Sequence, residues 1–409
     1  METSFHAPRL ASGAPQPEAR HAPPPRYNFI GGHNDPAIIP GDALAEAAAR
    51  VIRRQAPSLA MYHLGQGRLG YPPLREFVAR KLAARGVTGL SADDIMITSG
   101  SGQSIDLVNQ LFVGPGDTVL IEEFSYSGAI VRARSAGARV IGMPLDSGGL
   151  RIDALERCLA DLASRGVTPK YIYTIPTVQN PTGSILPLDR RRALIALSHR
   201  YGVPIFEDEC YADLTVAPDA PPALHALAPR QIIHIGSFSK SLAPALRLGY
   251  ATADWSVLGR MSSLKGDGGT GALDQMVAAE FLGERFEAHV GRLRTALRAK
   301  LDTMIDSLER EFGASIEVWR PEGGIFVWMR LAGDTDVRSL LAPAAAAGLV
   351  FNAGPDWACD PESAKSWLRL CFALPDERTI RDGVATFAQV CFEQTGSPRR
   401  GDNRDRAET

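Results

Sequence analysis

Lys240 stands in a run of hydroxyls, Ser237-Phe238-Ser239-Lys240-Ser241. The run follows directly on the apolar stretch Gln231-Ile232-Ile233-His234-Ile235-Gly236, and Arg247 comes one loop later. A lysine at the end of a buried strand is costly unless it is neutralised or bonded. Its neutral amine is a nucleophile toward aldehydes. The serines and Arg247 supply hydroxyl donors and a forked cation, which is the donor set a phosphate needs. An aldehyde that carries its own phosphate, pyridoxal 5'-phosphate, satisfies both halves. On this segment alone, a surface Lys and Arg beside a polar loop fit equally well.

Three other strand-like runs end in residues able to work beside that lysine. After Ile95–Thr98 comes Ser99-Gly100-Ser101-Gly102-Gln103, which opens a helix. Glycines there allow close approach, and the free N–H groups of a helix start attract an anion; a serine-capped turn is the plainer alternative. After Tyr171–Ile175 comes Pro176-Thr177-Val178-Gln179-Asn180-Pro181-Thr182-Gly183. This is turn chemistry, whose asparagine amide can also donate to a ring oxygen. After Pro204–Glu207 come Asp208, Glu209, Cys210 and Tyr211. A carboxylate at a buried strand end needs a positive partner, and a protonated pyridine nitrogen is one.

Short apolar strands must carry these ends. Ile95–Thr98, Thr118–Glu122, Arg139–Met143, Tyr171–Ile175, Pro204–Glu207, Gln231–Ile235 and Leu248–Ala251 read as interior strands of a mostly parallel sheet. Helical stretches lie between many of them, at Gln103–Phe112, Ile130–Ala136, Asp153–Ala163 and Pro187–His199. The pattern is a wound α/β domain, in which ligands bind outside the carboxyl ends of the strands. From Arg285 a long charged helix leads into a smaller α+β domain with strands near Ile316–Val318, Ile325–Met329, Leu349–Phe351 and Leu368–Phe372. The division expected is a disordered N-terminal arm over 1–26, a segment over 27–60 packing with the small domain, a large cofactor-binding domain over 61–283, a small domain over 284–394 and a disordered tail over 395–409.

Composition narrows the function classes. The 409 residues are 45% hydrophobic and 22% charged, with a formal net charge of -2, which argues against a dedicated nucleic-acid binder. No apolar run is long enough for a bilayer, and the first residues lack the apolar stretch of a signal peptide. Five scattered cysteines suit a reducing compartment, with the cytoplasm as default, and no cluster suggests a metal. Gly65-Gln66-Gly67-Arg68-Leu69-Gly70 has the form GxGxxG, but no strand precedes it and Pro72-Pro73 follow, so it is no dinucleotide fingerprint.

Taken in chain order, the glycine–serine turn, the Asn-Pro-Thr-Gly turn, Asp-x-x-Tyr and Ser-x-Ser-Lys with its following arginine resemble the fold-type-I pyridoxal-phosphate enzymes. Within these, the chain is similar to class I/II aminotransferases related to 2-aminoadipate and kynurenine aminotransferases, over roughly Phe29 to Phe392. The resemblance implies an aspartate-aminotransferase-like fold and a set of roles. Lys240 would hold the cofactor and shuttle the Cα proton, and Asp208 would keep the pyridine nitrogen protonated. Asn180 and Tyr211 would hold the ring oxygen, and Tyr126 would stack on the ring. Ser101, Gly102, Gln103, Ser237, Ser239 and Arg247 would surround the phosphate. Arg369, in Trp367-Leu368-Arg369-Leu370-Cys371, would grip the substrate α-carboxylate, with Gly31-Gly32 in the loop that closes over substrate. Tyr62 would reach a neighbouring subunit's phosphate, which implies a homodimer with shared sites.

Three stretches depart from that family: His33-Asn34-Asp35, His63 with Arg68, and the glycine-rich Lys265–Gly271. They suggest a wider, more polar pocket, or drift in exposed loops. The expected reaction is transfer of an amino group from an L-amino acid to a 2-oxo acid. The same parts also serve elimination, replacement, cyclisation or oxidation, on an amino acid or a substrate like S-adenosylmethionine, so that alternative stands beside it. A regulator built on this fold would need an upstream DNA-binding module, for which about 25 residues of arm are too few.

Overall fold

The computed structural model describes residues 24–217 and 220–398, together with His6, Arg9, Leu10 and Pro17. Most of the expected arm, and the tail from 399 on, lie outside the described residues.

All seven expected interior strands form. They are β1 (Met96–Thr98), β2 (Thr118–Glu122), β3 (Arg139–Met143), β4 (Ile172–Thr174), β5 (Ile205–Asp208), β6 (Ile232–Ser237) and β7 (Gly249–Thr252). One sheet holds them in the order β1-β7-β6-β5-β4-β2-β3. β7 runs antiparallel to both its neighbours, and the pairs from β6 across to β3 are parallel. Every residue of β1, β2 and β4–β7 is buried, whereas the edge strand β3 starts exposed at Arg139. Helices cover both faces, so the alternate side chains of a strand join different cores. Leu120 packs with Leu155, Leu159, Leu194 and Leu197 on one face. Val119 and Ile121 pack with Ile105, Val108, Ile130 and Ala133 on the other.

The first of these faces carries α5 (Ile152–Ser164) and α6 (Leu188–Tyr201); the second carries α3 (Ser101–Phe112), α4 (Ser127–Ser135) and α7 (Trp255–Leu264). α6 stops at Gly202, whose φ of 65° makes the left-handed cap that ends many helices. Parallel strands joined through helices put their carboxyl ends on one edge of the sheet, and the candidate residues lie there.

The long helix, α8, differs from expectation. It runs from Ala272 to Phe312 rather than from Arg285. Met276, Val277, Ala278, Phe281 and Leu282 are buried along its first turns, and this outweighs the roughly 1 kcal/mol cost of Gly283 in a helix. The expected boundary between residues 283 and 284 thus falls inside one helix. The N-terminal half of α8 packs with α1 (Gly41–Gln55) and α2 (Pro72–Ala83), and its C-terminal half enters the core of the smaller sheet.

That smaller sheet contains β8 (Ile316–Trp319), β9 (Phe326–Leu331), β10 (Asn352–Ala353) and β11 (Trp367–Cys371), ordered β8-β9-β11-β10 and antiparallel throughout. Tyr27–Asn28 pairs with Leu349–Val350 beside it, and Phe29 is fully buried and accepts a bond from Cys371 N at 2.8 Å. This anchoring delivers Gly31 and Gly32 to the edge where the large sheet's strands end.

Candidate active site

The carboxyl ends of β1, β4, β5 and β6 open into one cavity. Ser101, Gly102, Tyr126, Asn180, Asp208, Tyr211, Ser237, Ser239, Lys240 and Arg247 line it, joined by Arg132, Ile175 and Cys210.

Lys240 follows β6 in a loop held from two sides. Phe238 is fully buried beneath it. Asn34 Nδ2 reaches the carbonyl oxygens of Ser239 (3.4 Å), Lys240 (3.4 Å) and Leu242 (3.3 Å). The Lys240 amine donates to Gly32 O at 2.6 Å. Burial lowers its pKa, the cations of Arg369 and Arg247 push the same way, and the Cys371 and Cys210 thiols oppose them. The amine is therefore closer to its neutral, nucleophilic form than an exposed lysine.

Asp208 closes β5 and is buried. Its Oδ2 accepts from the Tyr173 hydroxyl at 2.7 Å, and its Oδ1 accepts from Cys210 N at 3.1 Å. Burial pushes its pKa up, and the bonds from Cys210 and Tyr173 hold it down. Among the described residues no lysine or arginine forms an ion pair with it. The geometry leaves a carboxylate suited to a cationic N–H partner.

Arg369 sits on β11 and is 2% exposed. It donates to Asn180 Oδ1 (3.0 Å), Gly31 O (2.8 Å) and Asn352 Oδ1 (2.8 Å). Its guanidinium carbon lies 3.6 Å from the centre of the Trp357 ring and 4.1 Å from that of Phe326. All of these partners are neutral, and Nε has no partner among the described residues. Burial brings its pKa down to about 10, so it stays charged at neutral pH. A buried guanidinium held by neutral groups is an anion site.

Aromatic rings shape the walls. Tyr211 packs edge-on against Phe326 at 5.1 Å, and Tyr126 lies 6.3 Å from Trp357. Burial raises the pKa of both tyrosines, so they remain protonated donors at neutral pH. At the other end of the cavity, Gly100 has a φ of 81°, which glycine adopts without strain. A Cβ there would stand 2.4 Å from Arg247 Nη2. Arg247 donates to Ser99 O at 3.4 Å, and Ser237 Oγ accepts from Ser239 N at 3.0 Å.

Two sequence-expected residues lie elsewhere. Gln103 Oε1 accepts from Ser99 N at 2.8 Å, and its Nε2 donates to Asp267 at 2.7 Å. It therefore braces the turn and does not line the cavity. Tyr62 is 85% exposed and borders a separate cavity with His63, Arg68, Gly268 and Gly269. Gly32 and Arg369 flank the main cavity through Lys240 and Asn180.

The expectation that His33-Asn34-Asp35 widens the substrate pocket is corrected in part. Asn34 clamps the lysine loop. Asp35 caps the turn at Pro36–Ile38 and pairs with Lys300 at 2.8 Å. Only His33 is exposed. The glycine-rich stretch is likewise organised, by a Lys265–Asp267 ion pair of 2.7 Å. The Gly65–Gly70 string is a loop between a short helical turn and α2, with no strand before it.

Sequence reasoning missed Arg132, Cys210, Asn352 and Glu122. Glu122 is buried at the end of β2, where it accepts from Thr174 Oγ1 (2.6 Å), Ile175 N (3.2 Å) and Gln179 Nε2 (2.9 Å). Gln179 Oε1 in turn accepts from Thr182 N at 2.8 Å. The acid fixes the turn that presents Asn180. The first of two glutamates, Glu122-Glu123, closing an apolar strand was its only sequence cue.

Comparison with known proteins places this architecture. The sequence pattern described as "Aminotransferase class I and II" matches residues 33–387. The chain is 34% identical to the 2-aminoadipate transaminase of Thermus thermophilus over 363 residues, which is 87% of this chain and 88% of that protein. The fold matches the crystal structure of α-aminoadipate aminotransferase from the same organism, complexed with N-(5'-phosphopyridoxyl)-L-leucine. The TM-score is 0.83 at 33% identity, covering 90% of this chain and 93% of that one. It also matches Pyrococcus horikoshii kynurenine aminotransferase with a TM-score of 0.85 at 30% identity, over 90% of this chain and 91% of that one.

Proposed function

The chain belongs to the class I and II aminotransferases, and from that membership we infer how its own residues carry out amino transfer. It is a pyridoxal-phosphate-dependent enzyme that moves the amino group of an L-amino acid to a 2-oxo acid. The residues fit the cofactor: a buried amine of lowered pKa, a buried carboxylate without a cationic partner and an arginine over a glycine turn share one cavity. When bound, pyridoxal phosphate supplies an aldehyde for attachment and a ring that accepts the electron pair of a broken substrate bond.

Arg369 holds the substrate α-carboxylate through its charged fork, steadied by Asn180, Asn352 and Gly31. Lys240 Nζ would anchor the cofactor. Once displaced by substrate, that amine would take the proton from Cα and hold it at Nζ for delivery to a different carbon, which is what lets the amino group change owners. Asp208 would accept a hydrogen bond from the ring nitrogen and favour its charged form. Asn180 and Tyr211 would donate to the ring oxygen, and Tyr126 would supply an aromatic wall beside the ring. Ser101, Gly102, Ser237, Ser239 and Arg247 would hold the phosphate. Gly32 O accepts from the Lys240 amine and Gly31 O from Arg369, which ties this loop to both functional side chains.

The observation that carries this reading is the convergence of four strand ends on the cavity that holds Lys240. Tyr62, 85% exposed beside Met61 (54%) and Leu59 (44%), supports a homodimer in which a second copy covers this apolar group. Five free cysteines support a reducing compartment, the cytoplasm. Incubating the purified protein with a panel of amino acids, S-adenosylmethionine included, and identifying products by mass tests the reaction. Oxo acid released only in the presence of a 2-oxo acceptor supports transfer. Ammonia, sulfide or a cyclised product formed without acceptor overturns it in favour of elimination, replacement or cyclisation.

A further inference from the structure

We propose that Arg132 is a second cation for the cofactor's phosphate, placed across the start of α3 from Arg247. The proposal rests on the cavity holding pyridoxal phosphate, and it concerns a residue that no sequence motif marks. Arg132 lies on α4, yet its guanidinium lines the same cavity as Ser101, Gly102, Ser237 and Arg247.

The two glycines beside Ser101 show how the arrangement is built. A Cβ at Gly100 would stand 2.4 Å from Arg247 Nη2, and a Cβ at Gly102 would stand 3.1 Å from Arg132 Nη2. Each glycine leaves room for a guanidinium, so Ser101 and the first turn of α3 lie between two arginines. The first N–H groups of that turn add their own positive field.

Local contacts hold Arg132 there. Its Nε pairs with Asp106 Oδ1 at 2.9 Å, and its Nη1 donates to Gly128 O at 3.2 Å. Asp106 is one turn further along α3, so the ion pair ties α4 to the helix whose N-terminus faces the cavity. The pair is part-exposed, at 35% and 47% for the two side chains, and contributes little as an isolated surface bridge. Its geometric consequence is to station Nη2 against Gly102. Arg247 is exposed and, among the described residues, donates to carbonyl oxygens alone, of Pro244 and Ser99. A phosphate monoester carries between one and two negative charges near neutral pH. One exposed arginine leaves part of that charge unmatched, and Arg132 supplies the remainder.

Equilibrium dialysis of the full chain against pyridoxal phosphate, and separately against pyridoxal, tests this. Pyridoxal carries the same ring and aldehyde without the phosphate. For Arg132→Gln, affinity for pyridoxal phosphate is expected to fall about tenfold while that for pyridoxal stays within about twofold. Arg132→Lys keeps the charge without the fork and is expected to fall in between; it also serves if the glutamine variant folds poorly. Unchanged affinity for pyridoxal phosphate in Arg132→Gln would reduce Arg132 to a partner of Asp106 and overturn the proposal. An equal loss for both ligands would overturn it too, because the effect would then be on the cavity's shape. Failure of the wild-type chain to bind pyridoxal phosphate at all would instead remove the functional reading beneath it.

Discussion

Replacing Arg369 by lysine separates charge from geometry at the centre of the site. The arginine meets three neutral acceptors at 2.8–3.0 Å and lies between two aromatic rings. With a pKa of about 10 it is still a cation at neutral pH, and no acidic group among its partners balances it. A carboxylate arriving there gains two charge-assisted hydrogen bonds, each worth about 1.5–3 kcal/mol. Lysine keeps the charge but offers one ammonium on a flexible stem, which cannot serve the three acceptors and both carboxylate oxygens together. A net loss of about 3–4 kcal/mol follows, or two to three decades in kcat/KM at 1.36 kcal/mol per decade. The assay compares Arg369→Lys with wild type on an α-amino acid and on the matching amine that lacks the carboxylate. The amino acid should suffer the whole loss, and the slow reaction of the amine should change little. A loss below about tenfold on the amino acid, or equal losses on both substrates, would refute the reasoning.

Other consequences follow from the same geometry. A Cβ at Gly32 would lie 2.4 Å from the Lys240 amine, which is the mobile end of a long side chain. Gly32→Ala should therefore keep its unfolding free energy within about 1 kcal/mol of wild type yet lose most covalently attached cofactor, read by absorbance; full attachment would contradict the placement of the amine. Two buried groups give stability opposite pH slopes. Burial holds His225 down to about 4 from the usual 6.5, so the native state resists a proton that the unfolded chain accepts, and stability is lost as pH falls from 6.5 toward 4. Urea unfolding of His225→Leu should show this acid-side loss reduced by up to about 3 kcal/mol, and an unchanged slope would sink the assignment. Burial raises the Glu122 carboxyl to about 7, despite donors from Gln179, Thr174 and Ile175. There the native state binds the proton more tightly, so stability falls as pH rises from 4.5 to 7. Glu122→Gln should flatten that decline, and a decline of the same slope in the variant would count against it.

The interior strands were legible because strands buried on both faces read as short apolar runs between turn residues. Ile205–Asp208 and Ile232–Ser237 appear almost as expected. The start of α8 was not, because the glycines at 266–271 and Gly283 mask a helix whose early turns are set by burial against α1 and α2. Lys240, Asp208, Asn180 and Arg369 were expected from type and order: Asp208 ends β5 and Arg369 lies within β11, while Lys240 and Asn180 sit in the loops after β6 and β4, where their polarity needs a reason. Gln103 shows the limit of reading by position: its neighbours line the cavity, but its own side chain turns back to Ser99 and across to Asp267. Asn34 and Asp35, which read as departures in the sequence, secure the lysine loop and Lys300, partners more than 200 residues away. Such contacts, like that of Arg132 with Gly102, arise only when the chain is folded.

The central claim is that one side chain, at position 240, carries the cofactor. Borohydride reduction of the freshly purified protein, followed by digestion and peptide mass mapping, tests it directly. The account predicts a stable phosphopyridoxyl group on the peptide containing Lys240, absent from a Lys240→Ala variant. An adduct on any other lysine, or no adduct in a preparation that still transfers amino groups, would contradict it.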